Sequence, residues 1–416
     1  MSENPEEQDS GHSLGVMLAA LGPFAFGYFL AYLFRAVNAI IEHDLVAEIG
    51  LGPSELGLVT ASYLGAFALF QLPLGVLLDR FGPRRIQSVL VAIAGIGALI
   101  FAAANDVATL IIGRALIGLG FAGGLMAGFK SVMLWISPPR RALGNSLVMS
   151  AGALGLLVAT APMEILTQVI GWRQAFVCLS GITFAAALII FLVVPERNNH
   201  NAPQSIWLQI GELRGIFSDR AFLALMPMLA SMAGFNMAIQ TLWAGPWLRD
   251  VAGLDRDGVA IYLMTMAIAF FIGVLSTGAI ADRLIQSGIG ILIIMKAFLA
   301  LYLAAQIGII MGVTNELMPL IWLIFGMFGQ ATILAYPWLA AHFGASRSAR
   351  AQTAANFITF STAFAVQFGI GAIIALFPGT PAGGYDASSY QVAFGAMFCV
   401  QVLAVGWYFL NYKLFH

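Results

Sequence analysis

The chain alternates between long apolar segments and short polar ones. Each apolar segment is long enough to cross a hydrocarbon core about 30 Å thick as a helix. Twelve such segments can be placed, at 14–41, 56–78, 86–104, 110–134, 142–166, 175–194, 221–247, 259–281, 289–312, 317–341, 353–377 and 391–410. Charged residues fall mostly between them. The pattern predicts an all-α polytopic membrane protein with twelve transmembrane helices.

The segments also contain an internal repeat. Shifting residues 45–80 by 203 positions aligns them with the second half of the chain without a gap, so that Asp79 meets Asp282 and Arg80 meets Arg283. A match across a loop and the following helix predicts two pseudo-symmetric six-helix bundles of the same orientation, related by an axis along the membrane normal. Such bundles usually enclose one central site.

A polar segment between the two halves divides the chain into four parts. Residues 1–13 form a tail, 14–195 the N-terminal bundle, 196–220 a linker, and 221–416 the C-terminal bundle with a short tail. The end of the linker is amphipathic, with apolar residues at helical spacing at Ile206, Trp207, Ile210, Leu213 and Phe217. We expect this part to form a helix on the inner membrane surface.

The distribution of positive charge predicts the orientation of the chain. With the N-terminal tail in the cytoplasm, the inner loops carry twelve Lys and Arg residues and the outer loops three, which are Arg173, Arg249 and Arg256. Because positive loops stay on the cytoplasmic side, we expect both termini in the cytoplasm. We expect the protein itself to lie in the plasma (inner) membrane. The first segment lacks a basic n-region and a cleavage site, so we expect it to remain as the first span.

Composition and motifs exclude several classes of function. Hydrophobic residues make up 60% of the chain and charged residues 9%, and the net charge of −1 favours neither nucleic acid nor a polybasic tail. There is no Walker loop, the five histidines are scattered, and Cys178 and Cys399 lie within predicted spans. GHSLG at 11–15 matches a hydrolase motif, but no strand precedes it. We therefore expect no enzyme, no metal and no cofactor, and only secondary transport.

Several motifs lie at predicted loops and helix starts. GVLLDRFGPRR at 75–85 resembles the signature of the major facilitator superfamily between its second and third helices, and GAIADR at 278–283 resembles its partial echo. GRALIGLG at 113–120 and GWRQAF at 171–176 resemble motifs of the fourth and sixth helices. The resemblance covers essentially the whole chain. It implies a secondary transporter that works by alternating access between its two halves.

The residues of this signature suggest a conformational latch. Gly75 would let two helices approach closely, Gly82 would allow a tight turn, and the Asp79 carboxylate can accept hydrogen bonds from arginines or helix amides. We expect the latch to hold the inner helix ends together, and its residues are Gly75, Asp79, Arg80, Gly82, Arg84, Arg85, Asp282 and Arg283. The alternative for the arginines is that they are ordinary positive-inside anchors.

One arginine lies inside the otherwise apolar first span. Arg35 follows the run GYFLAYLF, and a cation near mid-membrane costs about 3 kcal/mol on insertion scales, so it is a functional candidate. The other charges within spans are Arg114, Lys130, Lys296 and Glu164. Because most of them are positive, we expect an electropositive site. The alternatives are snorkelling for the two lysines and a structural partner for Arg114.

The first span carries a second, narrower resemblance. RAVN at 35–38 resembles the start of anion:cation symporters, and GYFLAYLFR at 27–35 resembles the first helix of organophosphate:phosphate antiporters. In both groups the matching arginine contacts the anionic group of the substrate, which implies an organic anion. The positions where such symporters carry acids are Phe34 and Phe121 here, so the resemblance implies no coupling mechanism.

Two residues are candidates for coupling transport to an ion gradient. Glu164 is the candidate proton carrier, because an intramembrane carboxyl can cycle between its charged and neutral forms. Arg114 is the second candidate. The alternative for Glu164 is an acid that faces headgroups or pairs with an arginine.

Polar and aromatic side chains could complete the site. The candidates for substrate contact are Arg35, Tyr28, Tyr32, Asn38, Lys130, Asn236, Gln240, Trp243, Tyr336 and Asn356. Together they suggest that a monomer transports a small amphipathic organic solute, with a proton or cation as coupling partner in a symporter. Two alternatives remain, a multidrug or metabolite exporter driven by proton antiport, and a transport-inactive membrane sensor or assembly protein.

Overall fold

The computed structural model describes residues 14–137, 141–195, 213–344, 347–380 and 384–415. Within these ranges the chain is almost entirely helical, and one isolated bridge joins Gly379 to Tyr385. Residues 213–217, at the end of the predicted linker helix, are helical. The rest of that predicted helix lies outside the described residues, so its place on the membrane surface stays a prediction.

Six spans belong to the first half of the chain. Span 1 is Leu14–Ala36, prolonged by Asn38–Ile49; spans 2 and 3 lie within Pro53–Ala103; span 4 comprises Val107–Phe121 and Gly124–Trp135; span 5 comprises Arg141–Val158 and Ala161–Ile170; and span 6 is Trp172–Val193. The Asp106 side chain accepts from the Thr109 amide at 2.9 Å and so caps the start of span 4.

Six further spans belong to the second half. Span 7 comprises Arg220–Ala238, a π-helical turn Ile239–Trp243 and Ala244–Asp250; span 8 is Arg256–Gln286; span 9 is Ile291–Ile310; span 10 comprises Met318–Phe328, the turn Ala331–Leu334 and Ala335–Phe343; span 11 is Ser348–Ile374; and span 12 is Ala387–Leu410. A 3₁₀ turn, Tyr412–Phe415, follows. Aspartate side chains cap the starts of spans 7, 8 and 12, at Asp219, Asp255 and Asp386.

The continuous helix Pro53–Ala103 contains two spans rather than one. At 1.5 Å per residue its 51 residues would extend about 75 Å, more than twice the hydrocarbon thickness. The helix breaks at Gly82, whose φ of +79° lies in the left-handed region that favours glycine. The break at Gly82 separates spans 2 and 3, as the apolar pattern predicts.

Span 5 is also broken, at 159–160, where its two helices meet at 48°. The second helix has a proline in its first turn, a position at which proline begins a helix rather than continuing one. Apart from this bent pair, ten helices are long and apolar enough to cross a membrane. One of these ten is Pro53–Ala103. With that helix counted as two spans and the bent pair as one, the described residues contain the twelve predicted spans.

Within each half, the helices approach closely at glycines. A Cβ at Gly118 of span 4 would collide with the Tyr63 carbonyl of span 2. A Cβ at Gly155 of span 5 would collide with the Phe29 carbonyl of span 1. Small residues serve this purpose in membrane helices, where close backbone packing rather than water exclusion holds helices together.

Large apolar side chains cover much of the outer surface of the bundle. Val169, Leu376, Leu403 and Leu410 are all exposed by more than two thirds of their surface. Such a surface would be unfavourable in water and suits contact with lipid chains. The protein is an integral membrane protein.

Candidate functional site

A cavity of about 260 Å³ lies between the two halves. It is formed by spans 1, 2, 4 and 5 of the first half and spans 7, 8, 10 and 11 of the second. The residues that line it are Tyr28, Tyr32, Arg35, Phe67, Gln71, Ala122, Leu125, Met126, Phe129, Met149, Ala233, Met237, Phe270, Val274, Gln330, Thr332, Ile333, Tyr336, Gln352, Asn356, Thr359 and Phe360. Among these residues, Arg35 is the charged one.

Arg35 is held among aromatic rings rather than acids. Its Cζ lies 4.4 Å from the centre of the Tyr32 ring, 5.5 Å from that of Phe67 and 5.3 Å from that of Phe360. Contacts of this kind are worth about 0.5–2 kcal/mol each. Among the described residues, no carboxylate forms an ion pair with Arg35, and its buried Nε has no hydrogen-bond partner. The cavity therefore contains a fixed positive charge that no carboxylate among the described residues neutralises.

The second buried arginine, Arg114, lies behind the residues that line the cavity. Its Nη1 donates to the Phe34 carbonyl at 2.7 Å, while Nε and Nη2 have no hydrogen-bond partner in the described part of the chain. Its Cζ lies 5.5 Å from the centre of the Tyr63 ring, which also lies 6.0 Å from the Arg35 Cζ. Arg114 does not line the cavity. It ties span 4 to span 1 next to Arg35.

Several polar groups around the cavity bond to one another. The Tyr336 hydroxyl of span 10 donates to Asn356 Oδ1 of span 11 at 2.7 Å. Gln330 Nε2 donates to Asn236 Oδ1 at 3.1 Å, and Gln71 Nε2 donates to the Ala122 carbonyl at 3.0 Å. These bonds fix the positions of the bonded side chains in the wall. Each bond also occupies one hydrogen-bond donor of the wall.

Ion pairs close the two halves together at one end of the bundle. We call the end formed by Asn38–Ile49, Ala161–Ile170 and Ala244–Asp250 the closed end. There, Arg249 bonds Glu42. Arg256 bonds Asp44 at 3.1 Å through both terminal nitrogens, and Glu164 at 2.8 Å through Nε. Between described residues, these are the ion pairs that join the halves.

The residues around these pairs strengthen the closed end. Asp250 accepts from the Tyr390 hydroxyl at 2.6 Å and from Arg249 Nε at 2.8 Å. Within the first half, bonds from Arg173 and from the Trp172 indole hold the Glu48 carboxylate and lower its pKa below the ordinary value. A second cavity, of about 300 Å³, lies here and is lined by Glu42, His43, Glu164, Asp255 and both of the arginines that join the halves.

Backbones also touch across the halves near the closed end. A Cβ at Gly245 of span 7 would lie 2.6 Å from the Ala39 carbonyl oxygen. A Cβ at Gly371 of span 11 would collide with the Pro53 carbonyl. These contacts and the ion pairs hold the halves together at this end. Between described residues no ion pair joins the halves at the opposite end, which we call the open end.

The residues of the predicted latch lie at the open end. Asp79 is exposed and pairs within its own half, with Lys130 Nζ at 2.6 Å. A Cβ at Gly75 would meet no atom within 4 Å, so the close helix approach predicted there is absent in this state. Asp282 and Arg283 are exposed. Arg84 Nε donates to the Phe191 carbonyl at 2.7 Å, and the Arg80 Cζ lies over the ring of Phe81.

The structure brings together half of the residues predicted to contact a substrate. Tyr28, Tyr32, Arg35, Tyr336 and Asn356 line the cavity. The others, Asn38, Lys130, Asn236, Gln240 and Trp243, do not. Each of these five side chains lies elsewhere.

Asn38 Nδ2 donates to Thr60 at 2.9 Å inside the first half. The Trp243 indole donates to the Gln367 carbonyl at 3.1 Å in the core of the second half. Asn236 lies behind Gln330, and Gln240 lines a separate small void between the halves. Lys130 bonds Asp79 instead of facing the cavity. These residues are not part of the cavity wall in this state.

The cavity is also lined by residues that no sequence pattern marks as substrate contacts, which are Phe67, Gln71, Gln352, Thr359 and Phe360. The internal repeat held a signal for part of this set. The same 203-residue shift that aligns Asp79 with Asp282 places Phe67 on Phe270, and both rings line the cavity. Symmetry-related positions on spans 2 and 8 therefore face the same space.

Comparison with known proteins gives a family and a set of distant relatives. Residues 24–367 match the profile of the Major Facilitator Superfamily. A probable sulfoacetate transporter of Cupriavidus necator is 24% identical over 279 residues, which is 64% of each chain. A probable galactarate/D-glucarate transporter of Escherichia coli K12 is 28% identical over 191 residues, 44% of this chain and 41% of the relative. A purine ribonucleoside efflux pump of Shigella dysenteriae is 27% identical over 260 residues, 58% of this chain and 62% of the relative.

The chain thus spans less than two thirds of the length of these relatives. A solved structure matches it more completely. The structure of a bacterial homolog to the human lysosomal transporter Spinster, in an inward-facing and occupied conformation, superposes with a TM-score of 0.74 at 19% identity. The match covers 99% of this chain and 98% of the other. It shows a shared fold.

Proposed function

Since the chain belongs to the major facilitator superfamily, a family of membrane transporters, we propose that it moves a small organic anion across the membrane by alternating access. Arg35 is the proposed contact for the anionic group. The observation that carries this proposal is that Arg35 lines the central cavity with no carboxylate partner among the described residues. A buried, unneutralised cation is costly in a membrane, and an anionic substrate removes that cost each time it binds.

The printed names of two relatives agree with an anion. Sulfoacetate, galactarate and D-glucarate, which those relatives are named for, are all anions. The proposed orientation, with both termini in the cytoplasm, places the open end on the cytoplasmic side and the closed end outside. In that orientation the described state is inward-facing.

Opening of the outer side would separate the ion pairs of the closed end. Glu164 would then lose its bond to Arg256, so the partner of its carboxylate would differ between the two states of the cycle. Glu164 is therefore the proposed coupling residue of a proton-linked cycle. We assign Arg114 a structural role instead, because it lies outside the cavity and away from these pairs.

A test of the proposal uses purified protein and proteoliposomes. Arg35→Lys keeps the charge but loses the planar fork that binds a carboxylate through two hydrogen bonds, so transport should fall at least tenfold while the fold survives. Arg35→Ala should abolish both transport and stabilisation by the substrate. In the unmodified protein, substrate at 100 times its Kd should add about 2.7 kcal/mol to the free energy of unfolding. The unliganded Arg35→Ala protein should be no less stable, because an unpaired buried charge has been removed.

Lys296→Met is the matched control, because it removes another positive charge from a span outside the cavity. It should leave transport and substrate stabilisation unchanged. Normal substrate stabilisation in Arg35→Ala would overturn the proposal. So would a large loss of stability in Arg35→Ala without any ligand, because that result would show a protein partner for Arg35.

Export of a neutral solute is the second candidate function. A relative is named as a purine ribonucleoside efflux pump, and much of the cavity wall is aromatic or aliphatic. Vesicles loaded from either side separate the candidates. Efflux of a nucleoside that is unaffected by Arg35→Ala would favour the exporter.

A further inference from the structure

We infer that the transported anion carries a single negative charge on a small aromatic or similarly flat apolar body. The inference rests on the proposed function, and it names the substrate class. It depends on three features of the central cavity, which are its one cation, the rings around that cation, and the hydrogen bonds already made in its wall.

The first feature is charge balance. Among the described residues of the wall, Arg35 is the charged side chain, so the cavity can neutralise one anionic group. A second carboxylate on the same molecule would lie in a site that is closed at one end. No second cation of the described wall would neutralise it. Burying such a group without a partner is strongly unfavourable. The site therefore disfavours dianions such as sugar diacids.

The second feature is the position of the rings. Phe67 and Phe360 approach each other at 4.1 Å between centroids, from opposite halves, and both lie next to the Arg35 guanidinium. The Tyr32 ring lies 4.4 Å from that guanidinium and 6.2 Å from the Phe270 ring. An anionic group bound to Arg35 thus places the body of its molecule among aromatic faces and edges. Rings pack favourably there, at about 0.5–1.5 kcal/mol per aromatic pair beyond the burial of area.

The third feature is that part of the hydrogen-bonding capacity of the wall is already used. Tyr336 bonds Asn356, Gln330 bonds Asn236, and Gln71 bonds a main-chain carbonyl. A polyhydroxylated body would need a partner for each hydroxyl it buries, since an unsatisfied one costs about 1–3 kcal/mol. Within the described wall, polar substituents can still be served by Thr332, Gln352 and Thr359, by the hydroxyls of Tyr28 and Tyr32, and by the unused amide groups of the bonded side chains. The cavity volume, about 260 Å³, also limits the body to a small molecule.

Four probes test this inference on the purified full-length protein. Benzoate is a ring with one carboxylate, benzamide is its neutral analogue, terephthalate is its dianionic analogue, and D-glucarate is a hydroxylated dianion. Benzoate should raise the unfolding temperature with a half-saturating concentration at least tenfold below that of each other probe. In proteoliposomes, benzoate should compete with its own labelled form for uptake, and D-glucarate should not.

Ring variants separate the aromatic contact from the charge. Phe360→Leu should raise the half-saturating concentration of benzoate about tenfold, and Phe67→Leu should do the same if the first variant fails to fold. Phe298→Leu is the matched control, because Phe298 is also buried but packs on Phe328 within the second half, outside the cavity. It should leave benzoate binding unchanged.

The outcomes distinguish the inference from the proposed function. Binding of D-glucarate or terephthalate as tight as that of benzoate, and lost in Arg35→Ala, would overturn the inferred class and leave the organic-anion proposal standing. Benzamide binding as tight as benzoate would overturn both, because charge would then contribute nothing. Absence of any benzoate effect, under conditions where Arg35-dependent binding of another anion is seen, would also overturn the inferred class.

Discussion

Two buried arginines show how the surroundings of a residue decide its role. Arg35 and Arg114 both lie in apolar helices and both contact the ring of Tyr63. Arg35 faces a cavity that a solute can enter, whereas Arg114 is fully enclosed and bonds one main-chain carbonyl. In the proposed transport cycle, only Arg35 can exchange a bound solute. Arg114 can act only through the helix that carries Arg35.

This difference gives a prediction for Arg114. Arg114→Met replaces a poorly compensated buried cation by an apolar side chain of similar length, so the unfolding temperature should be unchanged or higher. Transport should continue, because Arg114 does not reach the cavity. The measurements are thermal unfolding of the purified protein and uptake in proteoliposomes.

Arg114→Ala is the control for volume. It should lower the stability by about 2–4 kcal/mol, because it leaves a cavity in a packed region. If Arg114→Met lost ion-driven uptake but kept exchange of substrate across the membrane, Arg114 would be a coupling residue and the structural role would be wrong.

The sequence could indicate Arg35 and its neighbour Tyr32 but not Phe67 and Phe360, which also lie beside it. A cation in a run of apolar residues is visible in any sequence, since its cost does not depend on details of packing. The choice between Asn236 and Gln330, or between Trp243 and Thr359, depends on the rotation of each helix about its axis. The π-helical turn Ile239–Trp243 shifts that rotation in span 7, and nothing in the local sequence announces it.

At the scale of helices, the two ends of the bundle differ in how the halves meet. At the closed end, helices touch through glycines and ion pairs, with Gly245 against Ala39 and Gly371 against Pro53. At the open end, Asp79 bonds Lys130 of its own half. The helices of spans 1, 2, 7 and 11 therefore form the seal of the described state.

This seal gives a prediction for a single methyl group. Gly245→Ala would place its Cβ 2.6 Å from the Ala39 carbonyl oxygen, too close for either backbone to accept without moving. The closed end should then seal poorly, and transport should fall severalfold while the protein still folds. Spin labels placed across the closed end should report a longer mean distance.

Gly181→Ala is the matched control, because a Cβ there would meet no atom within 4 Å. It should change neither the distance nor the transport. Unaltered transport and distance in Gly245→Ala would mean that the two helices separate easily and that the glycine contact does not form the seal.

The helix count was predictable, but two helix boundaries were not. Apolar length alone gave the twelve spans, including the separation at Gly82, where the glycine signals a turn. It did not give the bend at 159–160 in span 5 or the helix Asn38–Ile49, which carries charged residues beyond the apolar run. The latter is stabilised by contacts with the other half, which no local pattern reveals.

At the scale of the whole molecule, the proposed orientation can be tested directly. Cysteines introduced at Asn105 and Asn315, in exposed loops at the closed end, should react from outside sealed cells with an impermeant thiol reagent. A cysteine at Gln286, at the open end, should not. The background protein should have Cys178 and Cys399 replaced by alanine, because both are exposed on the bundle surface.

Permeabilised cells provide the control, since all three cysteines should then react. Labelling of Gln286 in sealed cells, with no labelling of the two loop positions, would reverse the proposed orientation and make the described state outward-facing.

The ion pairs that join the halves divide by sign. Glu42, Asp44 and Glu164 come from the first half, and Arg249 and Arg256 come from the second. If the halves were produced as two separate polypeptides, two copies of the first would bring carboxylates face to face, and two copies of the second would bring guanidiniums face to face. Charge would therefore oppose both homodimers and favour the mixed pair. The helix ends at the closed end therefore carry a charge pattern that favours pairing of one half with the other.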